Sequence, residues 1–147
     1  MRRRPLLLLL PALLALARES QAKDGELFVV VHSANPLRSI SKKELIALYT
    51  GRSRQFPDGS LAEPLDQPRD SLLREAFYAN LTGMDLAQIN SYWARLLFTG
   101  RVQAPQALAD DAALLAELKR NRRAIAYLSR EPGEGDLRVL MILGRSS

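Results

Sequence analysis

Few side chains in this sequence could make or break a bond. His32 is the sole histidine, and cysteine is absent. Thiolate nucleophiles, disulfides and zinc–thiolate sites are thereby excluded together. A single imidazole cannot build a zinc site, and acid–base work by His32 would need positioned partners that no Ser–His–Asp spacing supplies. His32 reads as a structural residue, although it ends a strand segment, where ligands often gather in α/β sheets. Asp110 and Asp111 are adjacent carboxylates, too few for a divalent cation and well placed to cap a helix. The expectation is a protein that is not an enzyme, holds no metal and needs no cofactor.

Binding chemistry concentrates in the stretch from Gln67 to Phe77, QPRDSLLREAF. A loop carrying Arg69 and Ser71 runs into a helix start, where free amides and the helix dipole attract an anion. The Ser71 hydroxyl could donate to that anion, and Arg69 could add a charge-assisted contact. Against this, Asp70 puts a negative charge where the anion would sit. Asp70 or Ser71 could also fill the amides as an ordinary N-cap. Both readings, ligand site and helix cap, stand at this point.

The elements that position these residues alternate between strand and helix. Leu27 to Val31 is a β-branched and aromatic run that reads as a strand buried on both faces of a helix-covered sheet. Ser41 and Glu44 have capping-box spacing, Ile40 and Leu45 take the staple positions, and Gly51 ends the helix. Pro57-Asp58-Gly59 is turn chemistry. Ala62 to Leu65 is a strand candidate weakened by Pro64. The helix capped by Asp70 or Ser71 is expected to bury Leu72, Leu73, Ala76, Phe77 and Leu81. Asp85 and Gln88 form a second capping box, with Met84 and Ile89 as its staple. That helix carries a stripe of Leu86, Ile89, Tyr92, Trp93, Leu96 and Leu97, and Gly100 ends it. A fourth helix, Asp111 to Arg120, carries Leu114, Leu115 and Leu118, with Arg122 and Arg123 at its negative end. Ala124 to Leu128 and Leu137 to Leu143 read as strands, joined through the turn Pro132-Gly133-Glu134-Gly135. Strand, helix, weak strand, three helices and two strands make an α/β fold in one domain.

Residues 1–22 differ in composition. Arg2, Arg3 and Arg4 precede an apolar run from Leu6 to Leu16, and Ser20 and Ala22 supply the small residues of a cleavage site. This is the pattern of a secretory signal peptide cut after Ala22. The run falls short of the roughly 20 apolar residues of a membrane-spanning helix. The formal charge of +5 on 147 residues changes meaning accordingly. Four arginines against one glutamate in residues 1–22 carry three of those charges, leaving +2 on residues 23–147. Nucleic-acid binding is not expected from so small a surplus. With no cysteine at the cleavage site, no lipid anchor is expected. Residues 23–147 should form one exported domain, removing roughly two-thirds of the unfolded chain's surface from water.

An ordered set of short matches carries a resemblance. The set is Val30-Val31-x-x-Ala34-Asn35-Pro36, Ser39-Ile40-Ser41-Lys42, Leu45-x-x-Leu48-Tyr49-x-Gly51, Asp70-Ser71-x-x-Arg74-Glu75-Ala76-Phe77, Tyr92-Trp93 and Phe98-Thr99-Gly100. It resembles the phosphate-type substrate-binding proteins of ABC transporters, above all their short single-lobe relatives in bacteria. The resemblance runs from about Leu27 to Leu140. It implies a mixed sheet flanked by helices, a single lobe of the type II periplasmic-binding-protein-like fold, in a bacterial periplasm. It also implies a small oxyanion such as phosphate as ligand, and ABC-transporter membrane components or a periplasmic sensor as partner.

The resemblance breaks at the helix start. The family's Ser falls on Ser71, its Gly and Thr on Leu72 and Leu73, and its Arg on Gln67, with Arg69 two residues away. A leucine cannot donate as a hydroxyl does. The segment resembling the family's Gly-Ala-Ile-Gly-Tyr reads Arg123-Ala124-Ile125-Ala126-Tyr127, without either glycine. No Thr-Gly-Ser-like loop follows Ala22. The chain is about half as long as a two-lobed binder, so a cleft closing between lobes would need a second copy or another partner. The candidate anion-binding residues are Ser71, Arg69 and Leu72. The alternative is an interaction or sensory module that kept the fold and lost the ligand.

Overall fold

The computed structural model describes residues 25–133 and 135–144. The predicted signal peptide, residues 1–22, and Glu134 of the predicted turn lie outside the described residues. Strands β1 (Leu27–His32), β2 (Glu63–Asp66), β3 (Gln106–Ala107), β4 (Ala124–Leu128) and β5 (Leu137–Leu143) form one five-stranded sheet in the order β3-β2-β4-β1-β5. β2 runs parallel to β3 and β4, whereas β1 is antiparallel to β4 and β5. Helices α1 (Lys42–Tyr49), α2 (Leu72–Thr82), α3 (Leu86–Phe98) and α4 (Asp111–Arg120) flank it. The architecture is the mixed α/β sheet that the sequence predicts, with one strand added. β3 is two residues long and exposed, too short for any hydrophobic period to signal. Pro64 is tolerated within β2 because it precedes the residues that pair with β3.

Alternation along the strands divides the core into two layers. Leu27, Val29 and Val31 of β1, with Ile125 and Tyr127 of β4, pack against Leu45, Phe77 and Ile89 of α1, α2 and α3. Phe28 and Val30, with Ala124, Ala126 and Leu128, pack against Leu114 and Leu118 of α4. β1 and β4 are thus covered on both faces, which is why they read as continuous apolar runs.

Both predicted capping boxes form. The Ser41 hydroxyl accepts from the Glu44 amide at 3.1 Å, while the Glu44 carboxylate accepts from the Ser41 amide at 2.8 Å. Asp85 and Gln88 exchange the same pair of bonds at 2.8 and 2.9 Å. Ser71, and not Asp70, caps α2.

The buried face of α2 differs from the prediction. Arg74, Phe77, Tyr78 and Leu81 point inward, whereas Leu72 is 80% exposed and Ala76 lies on the surface. The inward set follows the i, i+3, i+4, i+7 stripe of a helix. A charged residue joins that stripe because a carboxylate waits inside for it. α3 likewise buries Ile89 and Trp93 and turns Leu97 outward. Gly51 holds a left-handed φ of +74°, and a Cβ there would lie 2.7 Å from Val102 and 3.0 Å from the Trp93 ring.

Candidate functional site

The C-terminal ends of the parallel strands β2, β3 and β4 lie along one edge of the sheet, and α2 and α4 begin there. This is the edge at which open α/β sheets bind ligands. His32 is not there. It ends β1, which runs the other way, and pairs with Leu137 at the start of β5. Its Nδ1 accepts from the Ala34 amide at 2.9 Å, a structural use.

Asp66, the last residue of β2, is the centre of the edge cluster. Its Oδ2 accepts from Arg74 Nε at 3.2 Å and from the Tyr78 hydroxyl at 2.9 Å. Its Oδ1 accepts from the Gln67 amide at 2.9 Å and from the Tyr127 hydroxyl. Asp66 and Arg74 are 3% and 6% exposed, so the ion pair is desolvated and both partners depend on these bonds. Gln67 continues the network, donating at 2.7 Å to Asp111 Oδ1, while Ser129 donates to Asp111 Oδ2 at 2.9 Å. Asp111 is thereby structural, and Asp110 caps α4 as predicted. Among the described residues no group of three or more His, Cys, Asp or Glu side chains could hold a metal ion.

Three phenols enclose the carboxylate. Burial first, and then the negative charge of Asp66, pushes Tyr49, Tyr78 and Tyr127 well above the ordinary phenol range. For Tyr78 the Arg74 guanidinium opposes that rise, as does the nearby Trp93 indole N–H. That N–H is nonetheless buried without an acceptor in hydrogen-bonding geometry. The rings pack tightly: Phe77 stacks on Tyr127 at 3.7 Å, and Tyr49 meets Phe77 edge-on at 4.7 Å.

A cavity of about 260 Å³ opens against this cluster. Asp66, Gln67 and Arg74 form its buried floor, Asn90 and Trp93 of α3 one wall, and Ala104 and Pro105 the other. Arg74 commits Nε to Asp66, and Nη1 to the Arg69 carbonyl at 2.9 Å and Asn90 Oδ1 at 2.7 Å. Its Nη2 meets no acceptor among the described residues and is not sealed from solvent. The Asn90 amide nitrogen and the Arg69 guanidinium, which also lines the cavity, likewise have no partner among the described residues. A larger cavity of about 360 Å³ lies between residues 48–65 and 102–106, but its charged residues, Arg54 and Glu63, are exposed.

The residues nominated from the sequence separate. The Ser71 hydroxyl accepts from the Arg74 amide at 3.0 Å as the N-cap. Leu72 faces solvent, and Arg69 alone reaches the cavity. Sequence reasoning passed over Asp66 and Asn90 and did not place Arg74 inside. The available signal was the spacing Arg74-x-x-Phe77-Tyr78-x-x-Leu81, a helical stripe with a cation at its head.

Fold and site together define a class: a mixed α/β domain with a polar-floored cavity at the C-terminal ends of its parallel strands. The structure is similar to the crystal structure of an ABC-type phosphate transport receptor from Vibrio cholerae, with a TM-score of 0.60 and 14% identity over 83% of this chain. The chain spans 51% of that receptor's length. At this identity the likeness shows the fold. No family model and no curated protein sequence matches the chain. No helix among the described residues is long and apolar enough to cross a membrane.

Proposed function

We propose that this chain is an exported, non-enzymatic solute-binding-like protein whose residues 23–147 take a small anion for a transport or sensing system. The carrying observation is Arg74, a buried guanidinium in the lining of an open cavity with one nitrogen, Nη2, uncommitted. Likeness to the fold of a phosphate transport receptor supports the reading, as does the signal-like composition of residues 1–22. Arg69 adds charge at the rim, and Ser71 holds the start of α2 in place. ABC-transporter membrane components are the fitting partners. Thermal melting of the purified protein tests the proposal. Phosphate, sulfate or a small carboxylate should raise the melting temperature by mass action, worth about 2.7 kcal/mol at roughly a hundred times Kd. No shift with any of the three would refute it.

One observation favours a second reading. Asp66 already occupies Arg74 Nε, two phenols and an amide, the kind of donor set an oxyanion would use. On that reading the domain kept the fold as an interaction or sensory module with its own carboxylate in the ligand's place. It expects no anion response, and co-purification with a transporter or sensor component.

A further inference from the structure

We infer that the cavity beside Asp66 takes a small organic monocarboxylate in preference to an inorganic oxyanion. This rests on the small-anion reading and specifies its ligand class. The side-chain donors the cavity leaves uncommitted are Arg74 Nη2, the Asn90 amide nitrogen and the Arg69 guanidinium, against one neutral acceptor, Gln67 Oε1. Both oxygens of Asp66 are already saturated, so no charged acceptor in the cavity is left to hold a cation. One carboxylate against two guanidiniums leaves the cavity a single net positive charge. A monoanion neutralises that charge; a phosphate dianion overshoots it beside a buried carboxylate. The Arg69 guanidinium has a whole edge to offer and can meet a carboxylate with two parallel N–H donors, while Arg74 adds one through Nη2. The remaining wall, the Trp93 ring with Leu97, Ala104 and Pro105, is largely apolar, which suits a hydrocarbon tail. Ser71 and Leu72 do not line this cavity, whereas Arg69 before them and Arg74 in the first turn of α2 do.

The sole tryptophan, Trp93, lines the cavity and reports on it. Titrating the purified protein with hexanoate should give a saturable change in Trp93 fluorescence and a rise in melting temperature. Hexanamide, the same shape without the charge, and inorganic phosphate should give neither. Ala94→Phe, at an exposed lining position on α3, should abolish the hexanoate response while the protein still melts cooperatively. Arg69→Gln, also exposed, should weaken it about tenfold, the loss of one charge-assisted hydrogen bond. A phosphate response without a hexanoate response would overturn the carboxylate class and leave small-anion binding standing. A hexanoate response unchanged in Ala94→Phe would place binding outside this cavity and overturn the assignment. No response to hexanoate or to phosphate would overturn the carboxylate assignment, and no response to sulfate as well would overturn small-anion binding.

Discussion

The Asp66 carboxylate gathers bonds from α2, from β4 and from the amide of Gln67, the residue after its strand, and it is 3% exposed. Removing it strands Arg74 as a buried charge and leaves two phenols without their acceptor. Breaking one side of such a pair costs about 3–5 kcal/mol. Asp66→Ala should lose that much in urea denaturation, whereas a loss near that of a surface substitution, within roughly 0.5 kcal/mol, would contradict the network. The vacated donors would remain positioned around a hole with surplus positive charge. Added sulfate should therefore restore part of the stability of Asp66→Ala through mass action and do less for the parent protein. If sulfate stabilises both equally, the four donors do not form an anion cradle.

Among the elements, those with local signals were legible in the sequence. The capping boxes at Ser41 and Asp85, the limits of α4, and the runs of β4 and β5 all stand where the residues place them, because caps and apolar periods act within one element. The site was not legible to the same degree. Arg74 turns inward, and Leu72 outward, because of a carboxylate eight positions earlier on another element, and no local period encodes that pairing. β3 escaped for a similar reason, since only its neighbour β2 defines it. Gly51 was legible as a helix end, yet the structure assigns it a second duty as the floor on which Trp93 and Val102 rest. Gly51→Ala meets both a left-handed backbone and side chains that must yield. It should destabilise by at least the roughly 1–3 kcal/mol of a strained residue, read as a lower denaturation midpoint at unchanged slope. A neutral result would mean that α3 can retreat from the α1 terminus.

Across the whole molecule, the same cluster ties the two halves of the sheet to the helices above it. The Tyr49 hydroxyl of α1 donates to the Leu65 carbonyl of β2 at 2.8 Å and to the Ile125 carbonyl of β4 at 3.1 Å, while Tyr78 and Tyr127 reach Asp66 from α2 and β4. Each of these phenols is raised by burial and by Asp66, so each keeps its proton in the folded protein well above the pH at which an exposed tyrosine ionises. Unfolded phenols titrate near pH 10. Below that pH the two states hold the same phenolic protons, and stability is insensitive to them. Above it the unfolded state releases protons that the folded state retains, so stability falls as pH rises, by about 1.4 kcal/mol per pH unit for each buried phenol. With three such phenols the slope should approach about 4 kcal/mol per pH unit. Urea denaturation at a series of pH values between about 8 and 11 should give a flat region and then this steep decline. Tyrosinate absorbance from the three should appear only with unfolding. Tyr78→Phe should remove about a third of the slope. Ionisation of all the tyrosines in a still-folded protein would show instead that water reaches the Asp66 cluster.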